Sequence, residues 1–490
     1  MSNTLFNHIT PYPNRILQIL QTPWGAVFAM TVWAGSILFY RLGDLVLDPD
    51  EALIIEWTLD VYAQTPTVWD LVKHIVRERG FYQPDPYPGL NIFLTVAFFQ
   101  WLGVSTWTAR LASALIALGV IPAFFCVSRR IFHHTTPALL GALLLATSAP
   151  IIFLMRQGRY TSLTILATLW LTWAYLEVLD RKKYGLLQLT GAVILSFFTA
   201  FHIFLPVAVG FTLHALWHFR GSRLWGLIGI LVLFSAGVTW FTPDKYIDGP
   251  AWFMTLFQKI WSMDQITVLY KLKVYLLELN LISMPLVFIP IYVYVRRDQW
   301  NRRVVLSVIA VCVGTLVMLS PLGDTILKDL IAPALDVVWP SFSPWWFNRV
   351  VDSRSWLFMG LAVGLGLLFY YGQWSSPSYL ALPIIVLLGI IMTHCVLPQY
   401  LVIWTRHMAS SYVFVFLLSG YLLTKIIEKN KLLGVSMILL HMTSNILSVV
   451  PFVPEHYPYF QWKLPQWIYR LVTGDPISEI VTNFIRIPPL

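Results

Sequence analysis

Leu90-Asn91-Ile92-Phe93-Leu94-Thr95-Val96-Ala97-Phe98-Phe99-Gln100-Trp101-Leu102 is an apolar run. Wound as a helix it reaches only about 20 Å, and a bilayer core is about 30 Å thick. The run is therefore predicted to lie along the interface without crossing, and the sidedness of everything after it depends on that reading. With it in the interface, Arg129-Arg130, Arg181-Lys182-Lys183, Arg220 with Arg223, Arg296-Arg297 with Arg302-Arg303, and Lys425 to Lys431 all fall on one side. An excess of Lys and Arg marks that side as cytoplasm. Were the run to span, every one of those clusters would flip outward.

The composition requires a membrane. The 490 residues are 57% hydrophobic, with 22 tryptophans and a mean hydropathy of +0.68, more apolar surface than a soluble core can enclose. The formal charge of +9 is scattered over segment ends and forms no single stripe, which excludes nucleic-acid binding. Cys126, Cys312 and Cys395 each sit in apolar segments, so neither a disulfide framework nor a thiolate metal cluster is expected. No internal repeat, low-complexity tract or soluble domain interrupts the chain, and residues 1–490 read as one integral-membrane domain.

Trp24 to Tyr40 follows no strongly basic leader and no small-residue cleavage site, and reads as a retained first span. Further spans are expected over residues 107–128, 137–155, 160–179, 186–202, 204–219, 224–241, 275–295, 304–320, 356–372, 379–397, 407–424 and 432–450, about thirteen in all. The fold class is thus an all-α polytopic membrane protein with a cytoplasmic N-terminus and an extracytoplasmic C-terminus. The outer face receives residues 41–106, 242–274, 321–355 and the tail 451–490. Long loops tend to carry function. Within the first of them Leu53 to Tyr62 and Leu90 to Leu102 are expected as interfacial helices, which either cradle a lipid-borne ligand or simply rest at headgroup level.

That first loop also holds the densest acid in the chain, Asp48-Pro49-Asp50-Glu51. One reading is structural: Asp48 as N-cap, Pro49 at the first helical position and Glu51 at the third form a capping box. The other is chemical, a carboxylate at the membrane rim placed to act as a general base. Two basic pairs are predicted on the same outer side. Arg156 and Arg159 flank Gln157-Gly158 and precede Tyr160, and Arg406-His407 opens a late span. A guanidinium fork suits phosphate oxygens; the alternative is anchoring to lipid headgroups, and His407 equally fits an interfacial histidine. His202 is expected in a turn between two spans as a hydrogen-bonded buried histidine. Pro344 to Arg349 reads as an aromatic belt, and Asp352 with Arg354 as an ion pair.

The order of these motifs resembles a known family. A first span, an outer loop with Asp50-Glu51, the turn Asp85-Pro86-Tyr87-Pro88-Gly89-Leu90, then Arg110-Leu111-Ala112-Ser113-Ala114-Leu115 and Arg156-Gln157-Gly158-Arg159-Tyr160 are similar to the GT-C superfamily of polyprenyl-phosphate-sugar glycosyltransferases. The nearest branch is that of the protein O-mannosyltransferases and the lipid A aminoarabinose transferase. The resemblance covers the first 220 or so residues and continues afterwards only in pattern. It implies a GT-C-type fold and an inverting transfer of a sugar from a polyprenyl-phosphate donor to a glycan, lipid or protein acceptor outside the membrane.

Carried over by motif, Asp50 is the expected base, Glu51 orients the acceptor or closes the cap, and Asp48 is a spare carboxylate. Arg156, Arg159, Tyr160, Arg406 and His407 hold the donor, with Asp85 and Tyr87 at the Pro-rich turn. Tyr87 stands where relatives carry His or Lys, so the basic donor contact at that point is missing. No cofactor is expected; a divalent cation on Asp48, Asp50 and Glu51 is the minor alternative. Lack of Asn-x-Ser/Thr sequons fits a bacterial plasma membrane. A transporter or lipid flippase would call for paired halves with broken helices and mid-membrane ionisable groups, neither of which is visible. A non-catalytic relative is the third reading.

Overall fold

The computed structural model describes residues 22–43, 49–77, 89–218, 285–299, 302–319, 378–396 and 408–449, and these are almost wholly helical. The helices are α1 (Pro23–Phe39), α2 (Pro49–Gln64), α3 (Val68–Arg77), α4 (Gly89–Leu102), α5 (Thr106–Phe132), α6 (Thr135–Ala146), α7 (Ala149–Arg156), α8 (Thr161–Leu179), α9 (Gly185–His218), α10 (Pro285–Val295), α11 (Arg302–Leu319), α12 (Ser378–Val396), α13 (Ala409–Lys429) and α14 (Lys431–Val449). Among the described residues α5, α8 and α13 are long and apolar enough to cross a membrane, and seven shorter apolar helices accompany them. The expected spans 224–241 and 356–372 lie outside the described residues.

Helix α5 organises the bundle. Ser105 caps its start, accepting from the Thr108 amide at 3.1 Å, and His133 ends it in the left-handed conformation (φ 55°). Its apolar length is bounded by Arg110 and Arg130, twenty residues apart and hence separated by about 30 Å, the thickness of a bilayer core. At the Arg130 end, Arg130 pairs with Glu177 at 2.5 Å and Asp180 at 2.6 Å on α8. Arg296 pairs with Glu428 at 3.2 Å, and Lys429 with Asp298 at 3.5 Å. A Phe132–Tyr421 stack at 5.3 Å joins the two groups. The basic clusters around residues 130, 181, 296 and 429 thus share one end of the bundle.

Two expected elements are corrected. The span predicted over 137–155 is two helices, α6 and α7, separated at Thr147-Ser148. Pro150 has no N–H to give to the Ala146 carbonyl, and its ring would collide with it, so α6 stops there. The predicted pair 186–202 and 204–219 is one helical run, α9, yet it doubles back. Gly185 lies against Glu177, while His214 bonds Tyr175 at 2.8 Å. A straight helix would hold those two positions about 43 Å apart. His202 lies within α9, and its side chain is outside what the structure describes.

Close helix crossings are made by glycine, as is common where apolar lipid gives helices no reason to associate by burial alone. A Cβ on Gly420 of α13 would come within 2.6 Å of the Gly141 nitrogen and the Pro137 carbonyl on α6. Gly210 of α9 meets Val386 and Gly389 of α12 equally closely. One core then runs through α1, α5, α6, α8, α9, α12 and α13, including Phe124, Phe125, Tyr175, Phe211, Phe414 and Phe416. A smaller cluster of Ile54, Val61, Leu71, Ile92, Phe93, Val96 and Tyr160 lies where α2, α3 and α4 meet the start of α8.

Helix α4 reaches about 20 Å. The expectation of a helix that merely rests in the interface needs amendment: Asn91, Ile92, Thr95, Val96 and Phe99 form a buried stripe facing α5 and α2, and the exposed apolar groups are at its end, Trp101 and Leu102. The more amphipathic element is α3. Thr67 caps it, accepting from the Asp70 amide at 3.2 Å and donating to the Asp70 carboxylate at 2.6 Å, and Val68, Trp69 and Val72 are exposed on one side.

Candidate active site

Three segments distant in sequence meet at the Arg110 end of α5: the first turn of α2, the first turn of α5, and the bend from Arg156 to Tyr160 between α7 and α8. Glu51 ties them. Arg110 Nε donates to Glu51 Oε1 and Arg110 Nη2 to Glu51 Oε2, each at 2.8 Å, a two-point pairing that fixes both planes. The Gly158 amide donates to Glu51 Oε1 at 2.7 Å. Arg110 Nη1 adds a bond to the Leu42 carbonyl at 2.9 Å. Glu51 is 1% and Arg110 3% exposed, so this is a buried ion pair with both carboxylate oxygens engaged by N–H donors.

Gly158 is needed for that fit. A Cβ there would stand 3.0 Å from the Ala109 carbonyl and 3.3 Å from Glu51 Oε1. The bend is held from outside as well: Asn91 Nδ2 donates to the Gly158 carbonyl at 3.3 Å, Ser113 Oγ to the Arg159 carbonyl at 2.8 Å, and Ser162 Oγ to the Met155 carbonyl at 2.6 Å. Arg156 Nη2 reaches the Tyr40 and Arg41 carbonyls at 2.6 and 3.0 Å. Tyr160 packs in the cluster with Ile54 and Val96.

Burial alone would push the Glu51 carboxyl up. The Arg110 charge and hydrogen bonds, the Gly158 amide and the nearby Arg159 charge outweigh it, holding the group below its ordinary value of 4.5 and ionised.

The structure brings together Glu51, Arg156, Arg159 and Tyr160 among the expected residues. Arg156 is 7% and Arg159 2% exposed, so both guanidinium groups are turned into the protein. Asp50 follows Pro49 in the first turn of α2, one residue from the anchored Glu51; its side chain is outside what the structure describes. Asp48, Asp85, Tyr87, Arg406, His407, the Pro344 to Arg349 belt and the Asp352–Arg354 pair lie outside the described residues.

The residue that sequence reasoning left without a role is Arg110. Its signal was present, since a guanidinium opening the apolar run Leu111 to Leu118 requires a partner. Glu51 suits a metal poorly, because N–H donors already occupy its oxygens. Among the described residues no three His, Cys, Asp or Glu side chains gather as a metal site. No protein-family model matches the chain, and no characterised protein is significantly similar to it.

Proposed function

We propose that the protein is an integral-membrane glycosyltransferase of GT-C type. It moves a sugar, with inversion, from a polyprenyl phosphate to an acceptor hydroxyl or amine on the extracytoplasmic face of a bacterial plasma membrane. The observation that carries this reading is the joining, through Glu51, of the acid-bearing start of α2 to a buried arginine-rich bend. Inverting transfer needs those two chemistries side by side.

In this reading Asp50 takes the proton from the acceptor. The acceptor atom forms its bond to the anomeric carbon as the bond from that carbon to the phosphate oxygen breaks, and the phosphate leaves with the electron pair. Arg156 and Arg159 stabilise the charge developing on it. Phosphate is already a good leaving group, so no general acid is required, unlike in glycoside hydrolysis. Glu51 positions both partners and stays ionised throughout.

The test is transfer of labelled sugar by Asp50→Asn protein, its insertion verified by the yield of folded protein. A fall of about 10²–10⁴-fold is expected for loss of a general base; transfer at the parent rate rules Asp50 out. Comparing envelope glycans and lipids with and without the protein would identify donor and acceptor.

A further inference from the structure

One face of α8 carries hydroxyl groups on a narrow stripe: Thr161, Thr164, Thr168 and Thr172, followed by Tyr175, all buried. Spacings of three and four residues put them on one line, descending from the Arg159 bend into the bundle. Halfway down, Thr164, Thr168 and Ala167 line a small cavity together with Ser196, Phe204 and Val207 of α9 and Ser410 of α13. It has room for about one water molecule.

The hydrogen bonds around this cavity fix the direction of its protons. Thr168 Oγ1 donates to the Thr164 carbonyl at 2.8 Å, which uses its one proton. The Thr168–Ser410 contact at 2.9 Å must then run from Ser410 to Thr168, leaving Ser410 Oγ with lone pairs to accept. The hydroxyls of Thr164 and Ser196 are buried and make no hydrogen bond to the protein. Two orphaned donors and one acceptor therefore border a cavity of one water's size. A buried hydroxyl left without any hydrogen-bond partner destabilises the fold.

We propose that an ordered water is bound here, accepting from Thr164 and Ser196 and donating to Ser410. Three hydrogen bonds is the usual complement of a buried water. The water joins α8, α9 and α13 one turn below Thr161, and so braces the helix that follows the Arg159 bend. This site is independent of the transferase reading, since it rests on the cavity and its hydroxyls alone.

Two experiments test it. A high-resolution structure in lipid nanodiscs should show isolated density within hydrogen-bond distance of Thr164, Ser196 and Ser410; a cavity that is empty or holds an acyl chain overturns the proposal. Thermal unfolding of Thr164→Val, Ser196→Ala and the double variant supplies the second. Both single changes keep the shape of the helix surface. Each should lower Tm by about 2 °C or more, and the double variant should lose less than the sum, because the first removal already frees the shared water. Single variants with unchanged or raised Tm mean a dry cavity, and strictly additive losses mean no shared ligand; either result overturns the proposal.

Discussion

The two charged ends of the bundle are built differently. At the Arg130 end the pairs grade into water: Glu428 is 46%, Lys429 44% and Asp298 71% exposed. At the Arg110 end Glu51 and Arg110 are closed off, and their donors and acceptors are met by Gly158 and Leu42. Solvated pairs add about 0–1 kcal/mol each; here they mark the polar surface and keep helix ends out of lipid. A buried pair gives little net stability over an apolar substitute but is costly to break. Its use is to specify one arrangement, in this case the approach of α2 to the bend before α8.

The contrast can be broken most severely at Arg110. Arg110→Met removes the guanidinium that neutralises the buried Glu51 carboxylate and should destabilise by about 3–5 kcal/mol, read as a fall in the unfolding midpoint in detergent. A Glu51→Gln, Arg110→Met double variant should recover part of that loss, and no recovery would mean the two residues act separately. Next in size, Gly420→Ala forces a methyl against Gly141 and the Pro137 carbonyl and should cost about 1–3 kcal/mol, midway between the two charged ends. Smallest, Lys429→Ala at the solvated end should change stability by about 0–1 kcal/mol.

Acid should separate the ends as well. The Glu51 pKa is lowered in the folded protein, so the stability tied to its ionisation is fully present above the ordinary value of 4.5. It is lost as pH falls through the lower folded-state value. An acid titration of unfolding should therefore show a loss below pH 4.5 that Glu51→Gln abolishes; the same acid limb in the variant would assign it to other carboxylates.

Much of this was legible in the chain. The apolar segments, the shared side of the basic clusters and the short reach of Leu90–Leu102 follow from length and charge, which are local properties. The break at Thr147 could have been read from Pro150, but hydropathy averages across a single backbone defect. The Glu51–Arg110 pair could not be read from spacing: its partners are 59 residues apart, and three carboxylates in four residues gave no sign of which one turned inward. Arg156 and Arg159 were legible as a pair, though not their burial, because anchoring and enclosed arginines have the same sequence pattern. The cavity at Thr164 and Ser196 depends on how α9 doubles back, a tertiary fact that the hydroxyl stripe alone does not contain.

The proposed function requires the Glu51–Arg110 assembly and the Arg130 end to lie on opposite membrane faces, with the former outside. Gln64→Cys, exposed at the end of α2, and Lys183→Cys, exposed beside the Arg130 end, test it in intact cells with a membrane-impermeant thiol reagent. Residue 64 is predicted to label before permeabilisation and residue 183 only after it. Labelling of 183 from outside, or of both from the same side, would contradict the account.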